Sequence, residues 1–428
     1  MKKIYSHVLG FPRIGRDRSF KKVTEAFWKK DVSSQTLESM HQSIMLSNWA
    51  SQKHIDFIPV LDFSPYDAVL DMSVRLGVIP SRFSHLSGWE QYFAMARGTD
   101  TFMACEMKKW FDTNYHYIVP ELSSQSVFKV SPFGFESISH AKKAISTNAL
   151  PVLIGPMTFL YLSKSIDHSN KWNLIDLLTE AYINLIRLMP DSEWIQLDEP
   201  IFSLELSDEQ KQKALTVYQL FAKHLPSKKI MLTQYFGSIG DELDLLTQLP
   251  VSGLHVDASS YSEQIVDFSK NLKKEQILSV GIVNGRNIWK NDLNRSLDYL
   301  KSIQSHHDLI WVSSSCSLLH VPYTLQDEPA LAFKDHMAFA YEKLEELHGL
   351  TQALNGDSHW ISLQKQTIRP FKNEVWELTD DKVQRSVSFD ERKKIQQQHL
   401  SLPDLPTTTI GSFPQDSEVR EKRKQYKD

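Results

Sequence analysis

Short apolar segments alternate with amphipathic segments along most of the chain. Eight apolar runs rich in β-branched residues predict strands at 7–11, 57–64, 151–159, 194–200, 229–237, 253–259, 277–285 and 309–319. Between them, apolar residues recur with helical spacing at 34–53, 172–189, 208–225, 261–273, 291–305 and 331–349. Apolar strands that alternate with helices are typical of a parallel sheet covered on both faces. Eight such units predict an α/β fold, a (β/α)8 TIM-type barrel.

The spacing of these units predicts how the chain is organised. Residues 1–350 form the predicted N-terminal barrel, with an inserted helical region near 65–150 between the second and third strands. Residues 351–404 are interpreted as a helical interdomain linker, because the part from 373 to 402 is charged and rich in Gln. The stretch "LPTTTIGSFPQ" (405–415) predicts one more strand that opens into a loop, so 405–428 is interpreted as the beginning of a second barrel.

An open, doubly wound sheet is the main alternative fold. It would carry Gly-rich phosphate-binding turns, but the chain has only 15 glycines and neither a G-x-G-x-x-G nor a G-x-x-x-x-G-K motif. The barrel is therefore preferred.

Composition narrows the class of function. The chain has 48 Lys and Arg against 52 Asp and Glu, a net charge of −4, so no general basic field for nucleic acid is expected. Its two cysteines, Cys105 and Cys316, exclude a disulfide framework and a four-cysteine zinc site. Neither a signal-peptide core nor a membrane-spanning apolar run is present in the sequence. We expect a soluble, cytoplasmic protein.

One group of candidate functional residues follows the predicted strands. Active sites of TIM barrels lie at the carboxyl ends of the strands. The residues at those ends are Asp62, Asp198, Glu199, His255, Asp257, Arg286, Cys316 and His320. Such carboxylates and histidines could bind a metal or transfer protons, or they could cap helices and hold loops. The sequence contains no H-E-x-x-H motif, which weakens the metal interpretation.

A second candidate group is basic. "GRDRSFKK" places Arg16, Arg18, Lys21 and Lys22 just after the first strand, and "MKKWFDTNYHY" places Lys108 and Lys109 next to aromatic residues. Cations at a loop-to-helix junction can bind an anionic ligand. An ordinary solvated surface is the competing interpretation.

Several long motifs resemble one family. They are "LGFPRIGRDRSFKKVTEAFWKK", "IPVLDFSPYDAVLD", "KKWFDTNYHYIVPE", "QLDEPIF", "SSCSLLHVP" and "LPTTTIGSFPQDSEVREKR". Together they resemble cobalamin-independent methionine synthase, also called 5-methyltetrahydropteroyltriglutamate–homocysteine S-methyltransferase. That family has two (β/α)8 barrels related by duplication, and this sequence is similar to the first barrel, the helical linker and the first strand of the second barrel.

The resemblance implies a reaction and its requirements. A methyl group would pass from 5-methyltetrahydropteroyltri-L-glutamate to L-homocysteine, without cobalamin, and a zinc ion would lower the pKa of the homocysteine thiol. The zinc ligands of the family lie in the second barrel, so the resemblance implies no catalytic residue and no metal ligand in this chain. Cys105 and Cys316 do not match the ligand pattern. The partner would be the C-terminal barrel, and this chain alone is expected to be inactive.

The resemblance also implies binding residues. The folate tail would bind Arg18, Ser19, Phe20, Lys21 and Lys109, although the family's usual Arg-Glu-Leu-Lys is Arg-Ser-Phe-Lys here. Homocysteine would contact Ile410, Gly411 and Ser412. In this interpretation Asp198, Glu199 and His255 are structural remnants of the duplication. A free-standing folate- or polyanion-binding barrel, and a barrel enzyme that uses Asp198 and Glu199, are the alternatives.

Overall fold

A closed barrel of eight parallel strands forms the centre of the protein. The structure, a computed structural model, describes residues 2–145, 148–190, 192–237, 243–330, 333–357, 359, 385–409, 411 and 415–427. Going round the barrel, successive neighbours are the strands that begin at Tyr5, Ile310, Ile277, Gly253, Lys229, Trp194, Asn148 and Phe57. The predicted TIM-type fold is confirmed.

All eight predicted barrel strands are present, at slightly different positions. They are β1 (Tyr5–His7), β2 (Phe57–Val60), β6 (Asn148–Ile154), β8 (Trp194–Asp198), β9 (Lys229–Thr233), β10 (Gly253–Asp257), β11 (Ile277–Val283) and β12 (Ile310–Ser314). The prediction for the first strand, 7–11, was too late in the sequence. Tyr5 pairs with Trp311 and His7 with Ser313 in β12, so pairing begins two residues before the apolar run.

Helices follow the barrel strands and cover them from outside. They are α1 (Ser19–Trp28), α2 (Ser34–Ser51), α3 (Ala68–Arg75), α4 (Gly88–Arg97), α5 (Glu136–Ala144), α6 (Pro156–Leu162), α7 (Ile175–Leu188), α8 (Asp208–His224), α9 (Leu243–Gln248), α10 (Glu263–Asn271), α11 (Leu293–Gln304) and α12 (Ala340–Leu354). The helix predicted over 331–349 was wrong at its start. Residues Lys334–His336 form a short 3₁₀ turn, and Glu342 accepts from the backbone of Phe339 and Leu325 at the true beginning of α12. None of the helices in the described part is long and apolar enough to cross a membrane.

The region between β2 and β6 is only partly helical. Besides α3, α4 and α5 it contains an antiparallel hairpin, β3 (Met107–Lys109) with β4 (His116–Ile118), and the short strand β5 (Glu121–Leu122), which pairs with β7 (Lys164–Ser165) after β6. The sequence-based description as an inserted helical region therefore missed the hairpin, which carries both Lys108 and Lys109.

The barrel interior is apolar at one end and polar at the other. Aromatic residues at the beginnings of strands close the amino end, with the rings of Phe57 and Trp311 stacked 4.1 Å apart and Trp194 next to Trp311. Further along the strands the interior contains buried polar residues, among them Gln196 and Ser279. Buried polar residues therefore lie toward the carboxyl ends of the strands.

The chain divides into two compact units, Met1–Arg369 and Pro370–Asp428. In the second unit, α13 (Phe389–Leu400) begins with a reciprocal cap between Ser388 and Glu391, and α14 (Ser417–Lys427) lies near the end of the chain. The stretch 405–409, the described part of the strand predicted there, is exposed and has no regular secondary structure. A strand needs a neighbouring strand to pair with, and none pairs with these residues among those described.

Candidate functional site

Helix α1 begins immediately after the loop that leaves β1, and its first turn carries positive charge. Arg18, at the N-cap, has a left-handed backbone (φ 54°) and provides no side-chain cap, and the first turn contains no acidic residue. Arg18 and Lys21 are both exposed. Because helix N-termini present free N–H groups and a positive dipole, this end of α1 suits an anion.

Of the cations in this segment, Arg16 is held by both oxygens of a carboxylate, whereas Lys21 makes only a longer, exposed pair and can still bind a ligand. The Arg16 guanidinium binds both oxygens of Asp327, at 2.6 and 2.5 Å, and Lys21 lies 3.6 Å from Glu25 one helical turn later. Phe20 is buried, with its ring stacked on His41 at 5.0 Å. Phe20 therefore anchors α1 to α2, and its side chain is not exposed for ligand binding.

Lys109 occupies a different position, on strand β3 of the hairpin. It is exposed, and no acidic group among the described residues lies within 4.0 Å of it, whereas its neighbour Lys108 lies 3.3 Å from Glu106. Both lysines line a cavity of about 530 Å³ whose other walls include Phe111, Tyr161 and Phe236. Residues 18–21 do not line this cavity, so the two predicted parts of the folate site are not joined in one pocket.

The turn of the hairpin lies across the carboxyl end of the barrel. Asp112 pairs with Arg286, after β11, at 3.1 Å, and the ring of Phe111 lies 6.2 Å from that of Phe236, after β9. Tyr115 contacts the edge of His320, after β12, at 6.2 Å between ring centres. The hairpin thus contacts three loops at the end where barrel enzymes bind substrates.

Under the hairpin, Asp198 is saturated by protein donors. It accepts from Gln196 Nε2 at 2.7 Å, Thr233 Oγ1 at 2.6 Å and Tyr235 OH at 3.0 Å. Burial raises the pKa of Asp198 to about 6 despite these bonds. Asp198 and Asp62 line a cavity of only about 70 Å³, and Asp62 accepts from the backbone of Phe11 at 2.9 Å. These carboxylates hold the loops together and leave little room for a substrate.

Glu199 has an equally structural role. Its two carboxylate oxygens accept from the backbone N–H groups of Met157 (3.0 Å) and Thr158 (2.6 Å), at the beginning of α6, and from Tyr218 OH (3.0 Å). The side chain is fully buried, and this burial raises its pKa to about 7. Glu199 caps a neighbouring helix, which was one of the two interpretations of these acids.

The predicted residue His255 lies in the barrel interior and is connected to His7 through one hydroxyl. Ser279 Oγ lies 3.0 Å from His7 Nδ1 and 2.9 Å from His255 Nδ1, and His7 Nε2 lies 3.0 Å from Gln196 Oε1. All four side chains are fully buried. This network crosses the barrel and has no open face toward a ligand.

The two histidines predict an acid-dependent loss of stability. Burial lowers the pKa of His7 to about 4 and that of His255 to about 3, from an unfolded value of 6.5. Below pH 6.5 the unfolded chain therefore binds protons first, and these residues favour unfolding increasingly until the pH reaches about 4 for His7 and about 3 for His255. Imidazole NMR signals of both residues should remain those of the neutral ring at pH 5.5, and a titration midpoint near 6.5 would contradict this prediction.

The remaining strand-end candidates are also engaged within the protein. Asp257 accepts from Ser259, and burial together with the charge of Arg286 lowers the pKa of His320 to about 4. Cys316 and Cys105 are free, buried thiols, and burial raises the pKa of each. Within the described ranges, no group of three or more His, Cys, Asp or Glu residues could hold a metal ion.

Comparisons with known proteins agree with this architecture. Residues 5–308 match the family described as "Cobalamin-independent synthase, N-terminal domain". The chain belongs to this family. A 5-methyltetrahydropteroyltriglutamate–homocysteine methyltransferase from Coxiella burnetii is 42% identical over 99% of the chain, and one from Haemophilus influenzae is 38% identical over 99%. The chain spans 58% and 59% of the length of these two relatives.

Solved structures support the fold of this family member. A B12-independent methionine synthase from a Shewanella species has a TM-score of 0.55 and 14% identity, over 76% of this chain and 90% of that chain. A methyltransferase from Methanosarcina mazei has a TM-score of 0.53 and 12% identity, over 83% of this chain and 95% of that chain. At such identities the similarity shows the barrel fold alone.

In this cobalamin-independent synthase domain, the residues predicted for homocysteine and the walls of the cavity beside Lys109 differ from the sequence-based expectation or extend it. Of the residues predicted to contact homocysteine, Ile410 and Ser412 lie outside the described residues, while Gly411 is exposed with φ 77°. Sequence reasoning missed the aromatic walls beside Lys109, formed by Phe111, Tyr161 and Phe236. The run Trp110–Phe111 directly after Lys109 was the available signal for the first of these, but the other two come from distant loops.

Proposed function

We propose that this chain is the folate-tail-binding half of an enzyme that transfers a methyl group from 5-methyltetrahydropteroyltriglutamate to L-homocysteine. The Coxiella burnetii relative, which is named as such a methyltransferase, aligns with 99% of this chain. The observation that carries the proposal is Lys109, an exposed cation without an acidic partner among the described residues, at the rim of an aromatic-walled cavity of about 530 Å³.

A polyglutamate tail carries several negative charges, which suit the cations at Lys109 and at the beginning of α1. Each glutamate adds a carboxylate, so the tail is a flexible polyanion that can extend from one cation to the next. Lys109 would bind one carboxylate, and Arg18 with Lys21 at the beginning of α1 would bind another, helped by the N–H groups and the dipole of the helix. Ser19 would donate its hydroxyl, and Phe20 would act by anchoring α1 on His41.

The reacting groups would be supplied by the C-terminal barrel, with which this half would work. Zinc, when bound in that barrel, would favour the thiolate form of homocysteine. The described residues of this chain offer no ligand group for it, and the strand-end carboxylates are occupied by protein donors. Its two free thiols suit a reducing compartment, so we propose a cytoplasmic location.

Titration with a triglutamyl folate tests the tail site. Lys109→Ala should weaken binding about 10-fold or more, since a hydrogen bond to a charged group contributes about 1.5–3 kcal/mol. Arg18→Ala combined with Lys21→Ala should weaken it similarly, and the loss should shrink as salt screens the charges. Calorimetry with mono- and triglutamyl forms measures both effects.

Matched variants provide the controls for this titration. Lys22→Ala removes an exposed cation beside Lys21, and Lys142→Ala removes an exposed cation on α5. Both should leave affinity unchanged, and Lys109→Arg should restore most of it. Equal affinity of the mono- and triglutamyl forms, with no effect of Lys109→Ala, would refute the tail site. Measurable methionine formation by this chain alone would refute its role as a half-enzyme.

A further inference from the structure

The cavity beside Lys109 has an arginine at its edge that is occupied by the protein itself. Asp112, in the turn of the hairpin, lines this cavity of about 530 Å³, and its carboxylate lies 3.1 Å from Nη1 of Arg286. Nη1 and Nη2 both donate to Oδ2 of Asp112, at 3.2 Å. Among the described residues that line the cavity, Asp112 is the only acid, and Lys108 and Lys109 are the cations. An acid of the protein therefore holds a cation that could otherwise bind an anionic ligand.

The position of Arg286 does not depend on Asp112. The Arg286 guanidinium lies 5.0 Å from the centre of the Phe236 ring, within the distance of a cation–π contact, and Phe236 also lines the cavity. The backbone N–H of Arg286 donates to Asn284 Oδ1 at 2.8 Å, and the N–H of Asn287 donates to the same oxygen at 3.1 Å. We therefore expect the guanidinium to stay at the edge of the cavity when the Asp112 carboxylate leaves it.

The carboxylate of Asp112 does not hold the hairpin turn in shape. Within the described part of the chain, it accepts hydrogen bonds from Arg286 alone. The turn is held by Thr113, whose N–H and hydroxyl donate to Trp110 O at 3.1 and 2.7 Å. Thr113 Oγ1 also accepts from the N–H of Tyr115 at 3.1 Å. Because the Asp112 side chain is 64% exposed, it can turn toward water without breaking any of these bonds.

The contact between these two side chains is looser than a comparable ion pair elsewhere in the chain. Arg82 donates to the two oxygens of Glu121 at 2.7 and 2.9 Å, whereas the shortest contact between Asp112 and Arg286 is 3.1 Å. Exposed ion pairs contribute little to stability, because water and salt screen their charges. A ligand that is already bound to Lys109 presents its next carboxylate at a high effective concentration, so that carboxylate can compete with Asp112.

We propose that Asp112 is an internal substitute for a ligand carboxylate, and that a glutamate of the bound tail displaces it from Arg286. This inference rests on the proposed function, because it takes the polyglutamate tail as the ligand. Arg286 keeps a carboxylate partner throughout the exchange, and it becomes a further tail-binding residue. Asp112 lowers the affinity of the cavity for anions in general and favours ligands with two carboxylates, one for Lys109 and one for Arg286. The exchange also releases the hairpin from the loop after β11.

Opposite effects of the two partners of this ion pair test the proposal. Asp112→Asn keeps the side-chain size and removes the competing charge, so it should tighten the binding of free γ-linked triglutamate and of triglutamyl folate about 2- to 6-fold. Arg286→Gln removes a cation that binds the ligand and should weaken both about 5-fold or more. A pair that only holds the hairpin in place predicts the same direction for both variants. Calorimetry on proteins with native circular dichroism measures the affinities.

A double-variant cycle separates displacement from a general effect of charge. In the Arg286→Gln protein, Asp112→Asn should bring no larger gain than Glu106→Gln, which removes an exposed acid 3.3 Å from Lys108. An equal gain from Asp112→Asn with and without Arg286, or no gain at all, would overturn the displacement.

The proposed function is tested separately by Lys109→Ala, so it can stand when the displacement fails. Binding of triglutamate by the Asp112→Asn protein alone would support the displacement, because it would show that Asp112 blocks the site. Absence of binding by every protein, Asp112→Asn included, would refute both.

Discussion

Replacement of Glu199 by alanine is expected to lower the free energy of unfolding by about 3–5 kcal/mol. The change removes a carboxylate that accepts from Met157 N–H, Thr158 N–H and Tyr218 OH, all at 3.0 Å or less. Because the site is fully buried, water cannot reach these donors easily, and each is left unpaired. The lost side chain also leaves a cavity where β8 meets α6.

Denaturant unfolding of the 428-residue chain measures this effect. Glu193→Ala is a matched control, because Glu193 precedes the same strand but is 63% exposed and makes only a surface pair with Lys229. It should change stability by less than about 1 kcal/mol. A Glu199→Ala protein as stable as the control would show that the carboxylate is not a structural cap and would reopen a catalytic role for it.

Ser279→Ala should lower the free energy of unfolding by about 2–4 kcal/mol, although it removes a single oxygen atom. Gln196 donates through Nε2 to Leu9 O and Asp198, so its Oε1 accepts from His7 Nε2–H. A neutral His7 then accepts at Nδ1 from the Ser279 hydroxyl. That hydroxyl can in turn only accept from His255 Nδ1–H. One oxygen therefore joins both rings, and alanine leaves the Nδ1 atoms of both buried rings without this partner, while His255 keeps only the 3.4 Å contact of its Nε2 with Ser315 O.

Ser313→Ala is the control for this prediction. Ser313 lies on the adjacent strand β12, is also fully buried, and its Oγ has no hydrogen-bond partner among the described residues. Its removal should be nearly neutral or stabilising, because no partner is left unpaired. The two variants should be compared at pH 8, where both histidines are neutral. Equal destabilisation by the two changes would contradict the hydrogen-bonded chain.

Much of the fold could be predicted because its signals are local. The run Trp194–Asp198 contains three large apolar residues, Trp194, Ile195 and Leu197. It forms a strand in which all five residues are buried. The helix predicted over 208–225 begins at Asp208 in the structure, where the Ser207 side chain caps it. The prediction for α12 failed at its start because Glu342 binds Leu325, a residue well before the apolar repeat.

The candidate sites were harder to predict, because their partners are distant in sequence. Asp112 and Arg286 are 174 positions apart, yet their contact helps hold the hairpin over the barrel. Glu199 and Thr158 are 41 positions apart. The sequence suggested acids at strand ends and allowed either catalysis or capping; only the contacts identified the capping role.

By itself the sequence determined the repeated strand and helix units, the excess of acid over base, and the motifs that resemble one family. These features depend on neighbouring residues and on side-chain type, so they can be recognised in the linear sequence. Only the tertiary structure decided which cations remain free, which acids are saturated and where cavities open. Barrel closure brings distant loops to one end, and burial then makes every unpaired polar group costly, so partners that the linear order separates must meet there.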